Sequence, residues 1–402
     1  MIVDQPIDTD QRVLACIEAY KRLGWDVDIL SSYKPLTSDM VKCYVHAHTL
    51  KHLLFLCLAW PWEALVIASR FARFCKSRNV ARYRLRHLWL HKGFWRETLY
   101  YAYKGFVYAC TNPGTFSPYS HIHAHDLKSL SFAHAIGKTA PHLRLIYDAH
   151  ELGAFRNRKN NSLLCALLTT AYERMLSSEA TLIISVSSPC LGYIKLFSRK
   201  NKPVSYRLVC NNFYEDTRPV TFSKISPRRA ILYIGSLIAG RGIDQLLKLS
   251  ERVADLDVIL YCPEDTHKQQ QNAKRYSARS NVTFHFGSYD ADFQQRAKQY
   301  ASVIGWLTPR DCCLSYRFSV SNKLFQYIQY GLPILYQDGL HSSDLLKSHT
   351  NSIQLDEFVK GAGAAPLGEH MDTPDNNTRI QKLKKSNYAK ALSEFILQTE
   401  SP

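Results

Sequence analysis

Apolar residues along this chain fall into two rhythms that take turns. Short runs such as Thr181–Val186, Ala230–Ile234, Asp257–Tyr261 and Ser302–Trp306 have the length of strands, and the first reads as one buried on both faces. Between them lie longer stretches with helical spacing. Asp10–Leu23 carries Val13, Leu14, Ile17, Ala19, Tyr20 and Leu23, and Gly24 ends it. The pattern predicts further strands at Trp25–Leu30, Val41–Val45, Phe106–Ala109, His121–His125, Leu143–Tyr147, Val282–Phe286 and Pro333–Leu335. It predicts helices over Leu127–Gly137, Ser162–Leu176, Ile243–Val253, near His267–Tyr276, over Asp290–Ala301 and Ser321–Tyr330, and a last one at Arg379–Leu397. Strand followed by helix, repeated, specifies an α/β protein with parallel sheets covered on both faces. Charge and proline gather at Arg199–Lys202 and Tyr214–Arg229, after which the pattern restarts. Two successive doubly wound halves with a cleft between them are therefore expected. Their chemistry should lie beyond the carboxyl ends of the strands.

Length agrees: 402 residues suit two domains better than one core. The eleven cysteines show no CxxC pair and no regular spacing, which argues against a disulfide framework or zinc ribbon and for reduced thiols in a cytosolic chain. The segment after Met1 has neither the basic nor the apolar region of a secretory signal. The most apolar window, Leu53–Ser69, holds Pro61 and Glu63 and falls short of a spanning helix. Charge changes the picture more. The net charge is +17, and between Lys51 and Cys110 eleven Lys/Arg face only Glu63 and Glu97. Phe71, Phe74, Tyr83, Leu85, Leu88, Trp89, Phe94 and Trp95 alternate with those cations. Residues 51–104 are accordingly read as a docking surface for an anionic membrane, against the plainer alternative of two helices with basic solvent faces. No nucleic-acid motif accompanies the charge, and nucleic acid is not expected as a partner.

Two stretches carry anion-binding chemistry. Tyr233-Ile-Gly-Ser-Leu-Ile-Ala-Gly-Arg-Gly242 joins a strand to a helix. Gly235 admits a close ligand, Ser236 offers a hydroxyl and an amide, Arg241 offers a forked cation, and the helix start offers free N–H groups. Ser321-Asn-Lys-Leu-Phe-Gln-Tyr…Gly331-Leu-Pro333 is a helix followed by a strand. Lys323 and Gln326, three apart, share a face near its positive end, the first suited to phosphate and the second to ribose hydroxyls. Each stretch alone also fits a structural role.

As an ordered pair they resemble the donor domain of glycosyltransferase family 4, whose members have the GT-B fold of two Rossmann-like domains facing a central cleft. The family's glycine–arginine loop appears as Gly235-Ser-Leu…Arg241-Gly242, and its later helix as Asn322-Lys-Leu-Phe-Gln-Tyr…Gly331-Leu-Pro333. The N-terminal half agrees through Asp10-Gln-Arg-Val, His121-Ile-His-Ala-His-Asp126 and Tyr147-Asp-Ala-His-Glu151, whereas residues 40–110 match loosely. The resemblance implies an acceptor-binding domain over 1–205, a nucleotide-sugar-binding domain over 206–375, and a terminal segment, 376–402, returning to the first. It places Gly235, Ser236, Arg241 and Lys323 at the donor diphosphate, Gln326 at the ribose, and Asn322 and Arg317 in the donor pocket. His125 would face the transferred sugar as the catalytic residue, with His150, Glu151 and Arg156 on the acceptor side. Two departures stand out. The family's first glutamate falls on Phe318 and its second on Gln326, and its first phosphate-binding arginine is Ser236 here.

His121, His123 and His125 share one strand face. A metal is not expected there, because GT-B enzymes generally manage leaving-group charge without one, and Asp126 is expected to cap the helix that follows. The resemblance implies retention of configuration, a UDP- or GDP-linked donor and no other cofactor. The basic surface points to a cytoplasmic protein peripheral to the inner face of the membrane, acting on a glycan or lipid-linked acceptor in bacterial cell-surface polysaccharide synthesis, such as lipopolysaccharide or capsule. A non-catalytic GT-B partner subunit and a GT-B epimerase are the alternatives.

Overall fold

The computed structural model describes residues 1–3, 11–31, 48–80, 100–105, 107–108, 111–112, 114–156, 162–198, 204–208, 219–223, 225–253, 256–262, 266–276, 279–287, 290–309, 312–347, 352–360 and 392. The chain divides into two compact units. The first comprises Met1–Asn211, Cys313–Ser319 and Lys385–Pro402, the second Asn212–Cys312 and Val320–Lys384.

Six parallel strands form the sheet of the first unit: β1 (Ile2–Val3), β2 (Leu30–Ser31), β3 (His121–His125), β4 (Arg144–Ala149), β5 (Ala180–Ser185) and β6 (Ser205–Leu208), in the order β2-β1-β3-β4-β5-β6. The order reverses between β1 and β3, the place where open α/β sheets leave a crevice for ligands. Helices α1 (Gln11–Arg22), α2 (His48–Ser77), α3 (Asp126–Thr139), α4 (Leu163–Ser177) and α5 (Ser188–Phe197) cover it. Alternate strand residues feed two cores. Leu145, Tyr147, Ala149 and Ile183 join one with α2 to α5, while Ile146, Leu182 and Ile184 meet Cys16, Ala19 and Tyr20 of α1 on the other face, together with Leu392.

The second unit repeats the plan with β7 (Arg229–Ile234), β8 (Leu256–Cys262), β9 (Val282–Phe286), β10 (Ser302–Leu307), β11 (Ile334–Tyr336) and β12 (Ser352–Gln354), all parallel, in the order β12-β11-β10-β7-β8-β9. Its reversal falls between β7 and β10. Helices α6 (Ile243–Ser250), α7 (His267–Lys274) and α8 (Asp290–Ala297) precede the short α9 (Leu314–Phe318), which clusters with the first unit. α10 (Asn322–Gln329), α11 (His341–Leu346) and α12 (Leu355–Lys360) follow.

Three sequence expectations are corrected. Trp25–Leu30 is not a strand: only Leu30–Ser31 pairs with β1, and Trp25 instead stacks between Tyr20 and His121. Of the strand expected over 106–109, the described residues 107 and 108 are helical, as are 100–105 and 111. Ala102, Gly105 and Tyr108 recur at helical spacing there. Gly105 sits so close to α3 that a Cβ would stand 2.6 Å from the Phe132 carbonyl oxygen, and the Tyr108 ring packs on Phe132. Asp126 does not cap α3. The cap position falls on His125, without a side-chain hydrogen bond, and Asp126 turns with φ +66° to other partners. The segments Val41–Val45 and Arg379–Leu397 lie outside the described residues, apart from the helical Leu392.

Candidate functional site

At the switch point of the second unit, β7 ends in Gly235 and the chain returns to α6 through Gly242. Both glycines are forced. Gly235 has φ +139°, and a Cβ there would stand 2.9 Å from Lys323 Cε and 3.1 Å from its Nζ. Gly242 has φ +78°, and its Cβ would overlap the carbonyl oxygen of Thr308, just past β10. Backbone conformation and crowding thus both require glycine. The loop between them is held from beneath. The Tyr233 hydroxyl donates to the Ser236 carbonyl (2.8 Å), the Leu237 amide donates to Gln269 Oε1 (2.8 Å), and Asn272 donates to the Leu237 carbonyl (2.6 Å).

Across β7 and β10 lies α10. Its Tyr327 hydroxyl is 3.2 Å from the carbonyls of both Leu232 and Trp306, and a Cβ on Gly305 would overlap the Tyr327 ring. That clamp presses the start of α10 against the end of β7 and seats Lys323 on Gly235, with its Nζ 5.1 Å from the centre of the Tyr233 ring. Burial, and secondarily the Arg241 guanidinium, push the Lys323 pKa well below that of an ordinary lysine. Ser321 makes no side-chain cap to α10, and Gly242 has no side chain with which to cap α6, so two positive helix ends open on these cations. The structure therefore gathers Gly235, Ser236, Arg241 and Lys323 around one electropositive recess. Asn322 is exposed at the first position of α10, and Gln326 is buried one turn further on. Arg317 lies in α9, which clusters with the first unit. Phe318 is in α9 too, buried in the first unit's core with Leu314 and covered by the Arg78 guanidinium at 5.3 Å.

The first unit places a second polar cluster at the carboxyl ends of β3 and β4. Asp148 is fully buried and accepts from Arg12 through Nε (3.1 Å) and Nη2 (2.6 Å). His125 Nδ1 lies 3.3 Å from Asp148 Oδ2 and 3.0 Å from His150 Nε2, which is itself 3.3 Å from Oδ2. Burial alone would raise the Asp148 pKa; Arg12, His150 and the histidine hydrogen bonds override it and hold the carboxyl well below its usual range. Burial would lower His150, but Asp148 and Asp126 together raise it. His123, stacked on His125 at 4.4 Å, keeps its ring neutral through desolvation.

A chain of charges continues outward from this point. The His150 amide donates to Asp126 (3.2 Å), Arg156 pairs with Asp126 (2.9 Å) and with Glu151 (3.1 Å), and the Ser315 hydroxyl donates to Glu151 (3.0 Å). The expected acceptor-side residues His150, Glu151 and Arg156 therefore belong with His125 to one network. Arg12, Asp148 and Ser315 are members that sequence reasoning missed; Asp148 stood in plain view between Tyr147 and His150. Among the described residues, Cys16, His123 and His125, and again His125, Asp148 and His150, bring three donor atoms within 4.8 Å of one another. Arg12 already occupies both oxygens of Asp148, so the second group is a proton-sharing cluster with its positive charge in place.

No family model matches the chain, and no curated protein matches it. Solved structures do. The E. coli trehalose-6-phosphate structure bound with UDP-2-fluoro glucose superposes with a TM-score of 0.60 at 11% identity, over 100% of this chain and 98% of the other. An α,α-trehalose-phosphate synthase (UDP-forming) from Burkholderia vietnamiensis gives 0.59 at 11%, over 100% and 98%. Sucrose-phosphate synthase from Thermosynechococcus elongatus gives 0.56 at 13%, over 77% and 80%. The fold is GT-B. Its two Rossmann-like domains are the two six-stranded sheets described above, and each carries its polar cluster at its own switch point.

Proposed function

We propose that this GT-B protein is a retaining glycosyltransferase of the family 4 kind, taking a sugar from a UDP- or GDP-linked donor. The observation that carries the proposal is the seating of Lys323 on Gly235 at the β7/β10 switch point, beside Arg241 and two uncapped helix ends. A lysine depressed by burial, with a second cation, Arg241, as its charged neighbour among the described residues, is suited to an incoming anion. A diphosphate brings enough charge to protonate and hold it. Asn322 and Gln326 extend the pocket, with Gln326 at the ribose and Arg317 contributing to the donor site. As the sugar–phosphate bond breaks, charge grows on the departing diphosphate, where Arg241, Lys323 and the Ser236 amide stabilise it. That supply of positive charge makes a metal unnecessary.

His125, held by Asp148 and His150, faces the transferred sugar. His150, Glu151 and Arg156 meet the acceptor, whose hydroxyl attacks on the leaving-group side and gives its proton to the departing phosphate. The acceptor is a membrane-associated glycan or lipid-linked sugar of bacterial surface polysaccharide synthesis, met at the cytoplasmic face. Donor chemistry of this kind is supported by a neighbour that holds UDP-2-fluoro glucose. Titration calorimetry with UDP-, GDP-, ADP- and CMP-sugars tests the proposal. One of them should bind wild type and fail to bind Arg241→Ala; binding of none overturns it. Phe318 favours a second reading, a non-catalytic partner subunit, since a core phenylalanine stands where the family keeps a carboxylate. Bound donor that is never hydrolysed or transferred, with any acceptor, would establish that reading instead.

A further inference from the structure

α2 presents two unlike faces. Inward, Trp60, Ala64, Ile67, Phe71 and Phe74 are buried. The Trp60 indole donates to the Leu168 carbonyl, Phe71 stacks on Phe155, and Phe74 meets Tyr193 edge-on. Its one acid, Glu63, also points inward and pairs with Arg174 (2.9 Å). Phe71 and Phe74, taken from the sequence as membrane anchors, are therefore core residues. Outward, Trp62 is 67% exposed, Leu65 69% and Val66 48%. Ser69, Arg73 and Lys76 continue the same stripe toward the carboxyl end, all exposed, with Arg70 at its margin. From Trp62 onward the outward face is thus first apolar and then, toward the carboxyl end, cationic, with no acid on it among the described side chains.

We propose that this face of α2 docks the protein on an anionic lipid surface, Trp62, Leu65 and Val66 entering the headgroup boundary while Arg70, Arg73 and Lys76 engage lipid phosphates. Isolated apolar side chains on a surface need no explanation, but three adjacent ones including an indole do. Tryptophan beside leucine, bordered by cations, is the composition of a helix lying in the plane of a membrane interface. No described helix is long and apolar enough to cross a membrane, so the face can rest on one but not span it. The chain's net charge of +17 opposes a second copy as the occupant and favours an anionic one. Nucleic acid would use the cations and leave Trp62 and Leu65 without a role. The proposal gives the membrane-associated acceptor of the preceding reading its location, yet vesicle binding requires no donor, so the two stand or fall separately.

Sedimentation of the full chain with vesicles tests it, using phosphatidylglycerol and phosphatidylcholine in equal parts against phosphatidylcholine alone. Binding is expected only to the anionic vesicles, and should weaken as salt rises. Trp62→Ser with Leu65→Ser should reduce it by about tenfold or more. Arg73→Glu with Lys76→Glu removes two cations, each worth about fivefold. Every site changed is exposed, so thermal melting should be unaltered, and the charge variant tests the surface independently if the apolar one misfolds. Donor affinity should be unchanged in both. The proposal is overturned if anionic vesicles are not bound, if neither double variant weakens binding, or if wild type dimerises through Trp62 and Leu65 without binding lipid. Binding to oligonucleotides that is stronger than to vesicles and indifferent to Trp62 and Leu65 overturns it equally.

Discussion

Lys323 occupies the space that any side chain on Gly235 would need: its Cε lies 2.9 Å from the position of a Cβ there. Two stretches far apart in sequence are thereby made into one recess. Gly235→Ala should push the lysine out of register, on a backbone whose φ of +139° already resists a side chain. Donor affinity is expected to fall by about tenfold or more, equivalent to about 1.4 kcal/mol. Calorimetric titration of the two proteins with the same donor measures it.

Lys323 also predicts proton uptake. Burial first, and Arg241 second, depress its pKa in the protein alone, and a bound diphosphate must raise it again. Between those two values binding takes up a proton, so affinity should decline as pH rises through that window. Titrations in buffers of different ionisation enthalpy would show the uptake, and Lys323→Met should abolish it. An unchanged proton count in that variant would remove the lysine from the diphosphate site.

Asp148 is sealed from water and answered by Arg12 on both oxygens. Removing one partner of such a pair strands the other, at a cost of about 3–5 kcal/mol. Arg12→Met should therefore lower stability by that amount in denaturant titration, and should disturb His125 and His150 through their shared carboxylate.

Glu173 lies buried beneath this network. It accepts a hydrogen bond from the Tyr147 hydroxyl (2.5 Å), and burial pushes its pKa to about 7 despite that bond. A folded pKa raised above the unfolded value of 4.5 means that its stabilisation is complete below that value and is lost as pH rises through about 7. The difference corresponds to about 3 kcal/mol. Melting temperature should drop across that interval in wild type, and Glu173→Gln should flatten the drop.

Phe318 yields a separate outcome. Its ring is part of the first unit's core, so Phe318→Ala should cost about 3–5 kcal/mol of stability. Nucleotide affinity should survive, because the recess at Gly235 and Lys323 belongs to the second unit. A loss of affinity without a loss of stability would instead place Phe318 in the donor pocket.

The strands flanking these recesses were legible because a buried parallel strand writes itself as an unbroken apolar run. β5, β7, β8 and β10 did so to within about a residue at each end, and β3 was placed as closely despite histidine at every other position. Very short strands did not. β1, β6 and β12 have two to four residues and no flanking signal, and their pairing comes from neighbours rather than from local preference. The helical stretch around Gly105 was misread because its aromatic, β-prone residues suit a strand until the close approach to Phe132 is known. Gly235, Arg241 and Lys323 could be singled out from sequence because the two stretches that carry them, each open to a structural role alone, resemble a donor site as an ordered pair. The bond of Arg12 to Asp148 could not, since nothing local to either residue announces a partner 136 positions away.

Neither unit is one continuous stretch of the gene. The first needs Cys313–Ser319 to place Phe318, and Leu392, with no exposed surface, to complete the core around Cys16 and Ile146. During synthesis from the amino end, that half must therefore wait, its apolar face open, until residue 392 has left the ribosome. A fragment cut after β6 would keep six paired strands and still lack the two plugs that close them.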